Sequence, residues 1–475
     1  MKRAVAFKRT FQASSETVNH SQSAPAKPAR EQRRTVGKAL RDKCPKEAHA
    51  AWKAPSDRAD PVELLILSSE GRIPYLVPIR YGRMMQSPFA FYRGTAAIMA
   101  ADLACTRTSG IRVQACGDCR LLNFGGFGTP ERRIIFDIND FDETLPAPWE
   151  WDVKRLATSF VIAGRHNKFK KADSREAALR CVGSYRQHMH KYADMSPVEM
   201  WYQRIDADTL MASITRKSWK KIAQQQVAKA VSHTAAHDDF PKLTTIEHGK
   251  VRIKDNPPLI FHQTSLSATE FNSRVVKAFN RYKETLTDDL RVLLNHYAIK
   301  DVAVKVVGIG SVGTRCAIVL LMANDNDPLF LQVKEAHESV LAPYAGKSAY
   351  ANHGHRVVAG QKLMQAASDM FLGWTEERGH FYVRQLRDIK VKPIVEIQDE
   401  LALAVYGEWC GWALARAHAK SGDATEISGY LGNSSKFDDA IADFAMAYAE
   451  QNEQDHQAML EAIRAGKIEV YQEEV

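Results

Sequence analysis

The chain has 475 residues, 45% apolar and 25% charged, a balance that fits a globular protein with more than one packed unit. Its net charge of +9 does not by itself mark a nucleic-acid binder, because residues 1–35 hold eight Lys or Arg against two Glu and carry most of the excess. No run approaches the roughly eighteen apolar residues of a membrane span, and seven scattered Cys give no disulfide framework, so a soluble, cytoplasmic protein is expected.

In chain order, residues 1–35, rich in Ser, Ala, Gln and Pro, read as a disordered basic tail. Residues 36–300 read as a mainly helical unit, with a short helix within 37–52, helices over 95–105, 153–164, 174–192, 197–204 and 210–232, and one long helix over 269–297. Within this unit Ile134–Phe136 reads as a strand, and 243–262 as a strand pair bracketing Asn256-Pro257-Pro258. Residues 301–395 carry strand patterns, a helix over 355–371, and a strand over 381–386 that exits through 387–392. Residues 396–475 form C-terminal helices, over 396–420 and 438–463, expected to pack back on the first unit.

Two polar constellations stand out. In the first, Asp118 and Asn123 lie five residues apart in a Gly-flanked loop, and a short strand then delivers Asp137, Asp140 and Asp142. In phosphoryl transfer an Asp accepts the hydroxyl proton, an Asn further along the loop holds a magnesium ion, and a later Asp bridges metal to phosphates. Each residue alone is equally a turn former. Cys116 and Cys119 flank Asp118 without a second pair to complete a zinc set, and read as loop-packing thiols. Arg80, Arg83 and Arg93 either grip a phosphate or carboxylate, or pair with the acids at 137–143.

The second constellation starts at the alternating Val302, Val304 and Val306, which lead into Gly308, Gly310, Ser311 and Gly313. A strand over 316–322 and another over 329–335 carrying Lys334 follow. A Gly-rich hairpin lets backbone N–H groups approach phosphates, and a Lys on the next strand reaches the α and β phosphates. A strand after the glycines excludes a dinucleotide fold, where a helix would follow. Glu338 and Asp369 are the candidate acids to position Lys334.

The loop Gly117-Asp118 to Asn123, with Asp140-Phe141-Asp142, resembles the phosphotransferase branch of the protein-kinase-like superfamily, the aminoglycoside and choline kinases. The resemblance implies Asp118 as base with Arg120 beside it, Asn123 and Asp140 as metal ligands with Asp142 in support, and Asp137 as a competing ligand. It also implies that Asp152 ties the loop to a helix. The run Ala115-Cys116-Gly117-Asp118-Cys119 and the run from Asn139 to Pro146 resemble the bacterial domain-of-unknown-function family 2252, from about residue 35 to the C-terminus. Many relatives carry His where this chain has Arg120. Because the glycine loop follows the catalytic loop, the fold implied is α+β, protein-kinase-like and circularly permuted, with a largely helical lobe and a smaller antiparallel-sheet nucleotide lobe. The function expected is an ATP- and magnesium-dependent phosphotransferase acting on an unknown small molecule or protein hydroxyl. Open alternatives are a nucleotide-binding pseudo-enzyme acting through protein partners, a metal-dependent hydrolase, and a nucleic-acid-associated protein using the tail, nucleic acid being the least expected partner.

Overall fold

Every residue of the helix Trp149–His166 from Trp149 to Gly164 is buried, polar ones included, which makes this helix the axis of the larger helical part. The helices Lys171–Ala193, Glu400–Ser421 and Lys436–Arg464 pack around it in one hydrophobic core. Chain segments from either side of the sheet in sequence therefore complete a single unit. The computed structural model describes residues 27–232, 239–262, 268–324, 327–386 and 389–472. No helix among the described residues is long and apolar enough to cross a membrane.

Residues 1–26 of the expected tail lie outside the described residues, but the tail reading runs too far, because a helix already begins at Arg30 and continues to Lys43. It crosses the helix Ala424–Leu431 at very close range. A Cβ on Gly37 would sit 2.0 Å from the Glu426 carbonyl oxygen, and one on Gly429 would sit 2.2 Å from that of Arg34. Arg33 pairs with Asp423 at 2.7 Å beside this crossing. Glycine contributes no apolar signal, so composition hides the contact.

The second unit is a six-stranded antiparallel sheet with spatial order Ile260–Phe261, Ala298–Lys305, Cys316–Met322, Pro328–Glu335, His380–Gln385, Gly373–Glu376. The run Cys316–Met322 is apolar throughout because both sheet faces are covered. Val319 and Leu321 pack with Tyr282 and Phe371 on one face, while Ile318, Leu320 and Met322 pack with Ile253 and Phe330 on the other. The chain is thus a mixed α and β protein with small antiparallel sheets.

Several expected elements differ. The long helix over 269–297 is two, Ala268–Glu284 and Asp288–Leu294, with Asp288 and Asp289 in the first turn of the second, where acids suit a helix N-terminus. The strand pair is Thr244–Glu247 with Lys250–Ile253, turning at His248 and Gly249, both at positive φ, and so does not bracket Asn256-Pro257-Pro258. The helix after Lys334 is His353–Met364, shorter than expected. Residues 387–388 of the strand exit lie outside the described residues. Beyond them Lys390–Val391 pairs with Phe124–Gly128, which pairs in turn with Ile134–Ile138.

Candidate functional site

The strand Arg112–Ala115 pairs with Leu145–Pro148, and between these strands the chain runs through the loop of Asp118 and the acids at 137–142. Gly117 turns the loop at φ +79°, and a Cβ there would meet the Glu143 carbonyl oxygen at 2.6 Å. Asp152, in the first turn of the buried helix, accepts hydrogen bonds from the backbone N–H groups of Cys116 at 2.7 Å and Gly117 at 3.0 Å. Its Oδ2 also lies 3.2 Å from Nε2 of His418, whose other nitrogen meets the Tyr185 hydroxyl at 2.9 Å. The loop is thereby tied to the helix. Ser159 Oγ accepts from Leu121 N–H, and the Tyr406 hydroxyl donates to the Leu121 and Phe124 carbonyls, so the loop is clamped from behind as well.

Asp118 is held by four donors. Its Oδ1 accepts from Arg155 Nη2 at 2.5 Å and Nε at 2.9 Å, and its Oδ2 from Arg120 Nε at 3.1 Å and Asn123 Nδ2 at 3.3 Å. The Oδ2 contacts are longer, so Oδ2 is the oxygen an incoming hydroxyl would displace donors from. Asn123 also donates to the Asp118 carbonyl at 2.8 Å.

The acids fall into two kinds. Asp137 is fully buried and committed, accepting from Ile138 N–H, Ala366 N–H at 2.9 Å and Arg416 Nη2 at 2.6 Å. Asp142 faces the other unit: Lys334 Nζ lies 2.7 Å from its Oδ2, the Tyr382 hydroxyl 2.5 Å from its Oδ1, and Ser311 Oγ 3.3 Å from Oδ2. Burial pushes the Asp142 carboxyl up, but Lys334 and the Tyr382 hydrogen bond outweigh it and bring it down to about 2. Asp140 beside it has a buried Oδ1 with no hydrogen-bond partner among the described residues, and burial together with the Asp142 charge raises its pKa.

The glycine loop lies against the N-terminal part of the chain. Arg72 donates to the Gly310 and Val312 carbonyls at 2.7 and 2.6 Å, Ile73 N–H to that of Gly313 at 2.7 Å, and Arg83 to that of Gly308 at 2.5 Å. Neither acid expected to position Lys334 does so: Asp369 accepts from the Phe371 and Gln385 N–H groups, and the partner of Lys334 is Asp142. Arg80 is buried on the Ser68 and Ser69 hydroxyls and the Gly94 carbonyl, and among the described residues neither Arg80 nor Arg93 bonds to the acids at 137–143.

Sequence reasoning missed Arg155, Tyr382 and Arg356. Arg155 stands three residues after Asp152 on the same helix, a spacing that puts both on one face toward the loop. Arg356, from the helix His353–Met364, donates to the carbonyls of Thr144, Asp142 and His337 at 2.6, 2.8 and 2.8 Å. Cys116, Cys119 and Asp152 bring metal-ligand atoms within 4.8 Å of one another, but the carboxylate is already engaged by two N–H groups and His418, as packing thiols and a structural acid would have it. A separate apolar cavity of about 330 Å³, lined by Phe136, Trp219, Ile394 and Trp409 among others, contains none of these polar residues.

A family model described as "Uncharacterized protein conserved in bacteria (DUF2252)" matches residues 72–462. No curated protein and no solved structure gives a significant match. The chain belongs to that bacterial family.

Proposed function

We propose that this family member is an ATP- and magnesium-dependent phosphotransferase with a kinase-like, circularly permuted fold. One observation carries the reading: Lys334, 192 residues beyond Asp142 in the chain, pairs with it at 2.7 Å, with Ser311 of the glycine loop on the same carboxylate. Two constellations that phosphoryl transfer requires together thus meet on one side chain. The sheet supports it too, since a hairpin with the glycines, a Lys on the following strand, and then a helix and two further strands are the parts of a nucleotide lobe.

The residues fit a divalent cation. The unpartnered Oδ1 of Asp140 stands next to the Asp142 carboxylate, a raised and a lowered acid side by side, and positive charge between them would relieve both the repulsion and the missing bond. Asp140, Asp142 and Asn123 would hold it, and the ion would neutralise charge on the phosphates. Lys334, with three donors, keeps Asp142 and has capacity left for phosphate oxygens. Arg72 and Arg83 fix the glycine loop from its carbonyl side, which leaves peptide N–H groups as the donors a phosphate meets. Asp118 orients the acceptor hydroxyl and takes its proton at Oδ2, while Arg155 keeps the carboxylate in place through Oδ1.

The test is calorimetric titration of ATP, with and without magnesium, into this chain and its Asp140→Ala and Lys334→Ala variants. Magnesium-dependent binding weakened by both substitutions is expected. A folded chain that binds no nucleotide overturns the reading. A nucleotide-binding pseudo-enzyme is the second reading, favoured by the four donors that occupy Asp118. Binding without phosphate transfer to any acceptor or to water would select it.

A further inference from the structure

Two guanidinium groups beside Asp118 are left without enough negative charge. Arg120 is 9% exposed and spends only Nε on Asp118, while its Nη1 is buried and has no hydrogen-bond partner among the described residues. Among the described residues Arg93 makes no side-chain hydrogen bond or ion pair, and its Nε is buried and equally unpartnered. The charges acting on Arg93 are, in order, Arg120, Asp118, Arg83 and Glu396, and burial followed by the Arg120 repulsion brings its pKa down to about 10. Asp118 does not balance the pair, because Arg155 already claims its Oδ1 with two bonds. The Arg93 carbonyl lies 3.3 Å from where a Gly310 Cβ would stand, so the segment runs beneath the glycine loop.

Buried guanidinium donors without acceptors, close to a second cation, are costly in a finished site and are the normal state of an anion site awaiting its ligand. We infer that Arg93 and Arg120 form an oxyanion subsite for the acceptor, so that the substrate phosphorylated here carries a carboxylate, sulfate or phosphate near its reacting hydroxyl or amine. This rests on the phosphotransferase reading. Arg120 touches Asp118 at Oδ2, the oxygen assigned to the acceptor, so the anion and the reacting hydroxyl would be held side by side, and neutral polyols or a neutral protein side chain would be poor acceptors.

The same oxyanion chemistry could come from the terminal phosphate of the nucleotide, and the experiment separates the two. Inorganic phosphate is titrated by calorimetry into the full chain saturated with magnesium and a non-hydrolysable ATP analogue, and into its Arg93→Gln and Arg120→Gln variants. Circular dichroism monitors the fold, and Arg93→Lys and Arg120→Lys serve as charge-keeping controls. The expected result is saturable phosphate binding to the loaded protein, about tenfold weaker in either Gln variant and partly recovered in the Lys variants, with analogue affinity within about twofold of the parent. Phosphate excluded by the analogue, with analogue binding itself weakened in both Gln variants, would assign the pair to the nucleotide and overturn the inference. Equal phosphate binding in parent and variants would overturn it too. If the chain binds no nucleotide, the titration is run without it. Phosphate binding lost with the arginine pair would then keep the anion subsite while the phosphotransferase reading fell.

Discussion

Asp140 and Asp142 are two residues apart and titrate in opposite directions. The Asp140 pKa is raised first by burial and then by the charge of Asp142, so above that pKa the folded state holds an ion that the unfolded chain would solvate more cheaply. The penalty is present above the raised value and falls away as pH drops from there toward the ordinary 3.8. Asp142 is the reverse: held down to about 2 against an ordinary 3.8, it contributes stability that is complete above 3.8 and is lost as pH falls toward 2. Asp140→Asn is therefore expected to stabilise the free protein by about 1 kcal/mol while weakening magnesium-dependent nucleotide binding at least about tenfold. Paired thermal melts and titrations check this, and a destabilised variant would make Asp140 structural. Lys334→Met leaves Asp142 without its cation, at an expected cost of about 3 kcal/mol near neutral pH. The cost should shrink toward about pH 3, where Asp142, no longer held down, protonates. Urea unfolding at both pH values reads the difference.

At the scale of elements, the loop at 116–123 owes its shape to Asp152. Asp152→Ala would orphan the N–H groups of Cys116 and Gly117 and the buried His418 together, with an expected loss of about 2–4 kcal/mol. Amide hydrogen exchange should speed up at Cys116 and Gly117 before it does in the surrounding helices; uniform acceleration would mean that Asp152 supports the whole fold rather than the loop. This element was legible beforehand because its parts are near in sequence: the Gly-Asp turn, the Asn five residues on, and the acid opening an apolar helical run. Long-range partners were not. Nothing local in Tyr382 or Arg356 says that they face Asp142, 240 and 214 residues away, since the placement of a strand and a helix decides it. Patterning also overstated continuity. Apolar spacing carries through 269–297 although Thr287 and the following acids start a second helix, and the turn at His248-Gly249 lacks the Asn-Gly signature that would have revealed it. The tail reading failed at Arg30 for the opposite reason, because a helix held by glycine crossings and ion pairs has the composition of a solvated segment.

Across the whole molecule, the sheet interrupts a helical unit that closes only when the C-terminal helices return. Arg416 on Asp137 and His418 on Asp152 bring residues near the end of a late helix onto the early loop. Polar contacts join the two units at several places, among them the bonds of Arg72 to the glycine loop, the Lys334–Asp142 pair and the bonds of Arg356. Arg356 is 1% exposed, belongs to the helix that follows the Lys334 strand, and donates to the backbone of the acid stretch at Asp142 and Thr144 while holding His337 of its own unit. Arg356→Met fills the volume but strands three carbonyl acceptors, at a cost of about 3 kcal/mol concentrated at the junction. The parent should melt in one calorimetric transition, because neither unit can open at this junction without exposing the Lys334–Asp142 pair. The variant should resolve into two, with the sheet unit melting first. Magnesium with nucleotide at about a hundredfold over its dissociation constant adds about 2.7 kcal/mol, or about 3 °C in a chain of this size. In the parent that increment should move the single transition. In Arg356→Met it should draw the two transitions back together, because a ligand held by Asp140 and Lys334 at once replaces the junction the arginine supplied. If it shifts only one of the two, the ligand belongs to one unit alone and the shared site is ruled out.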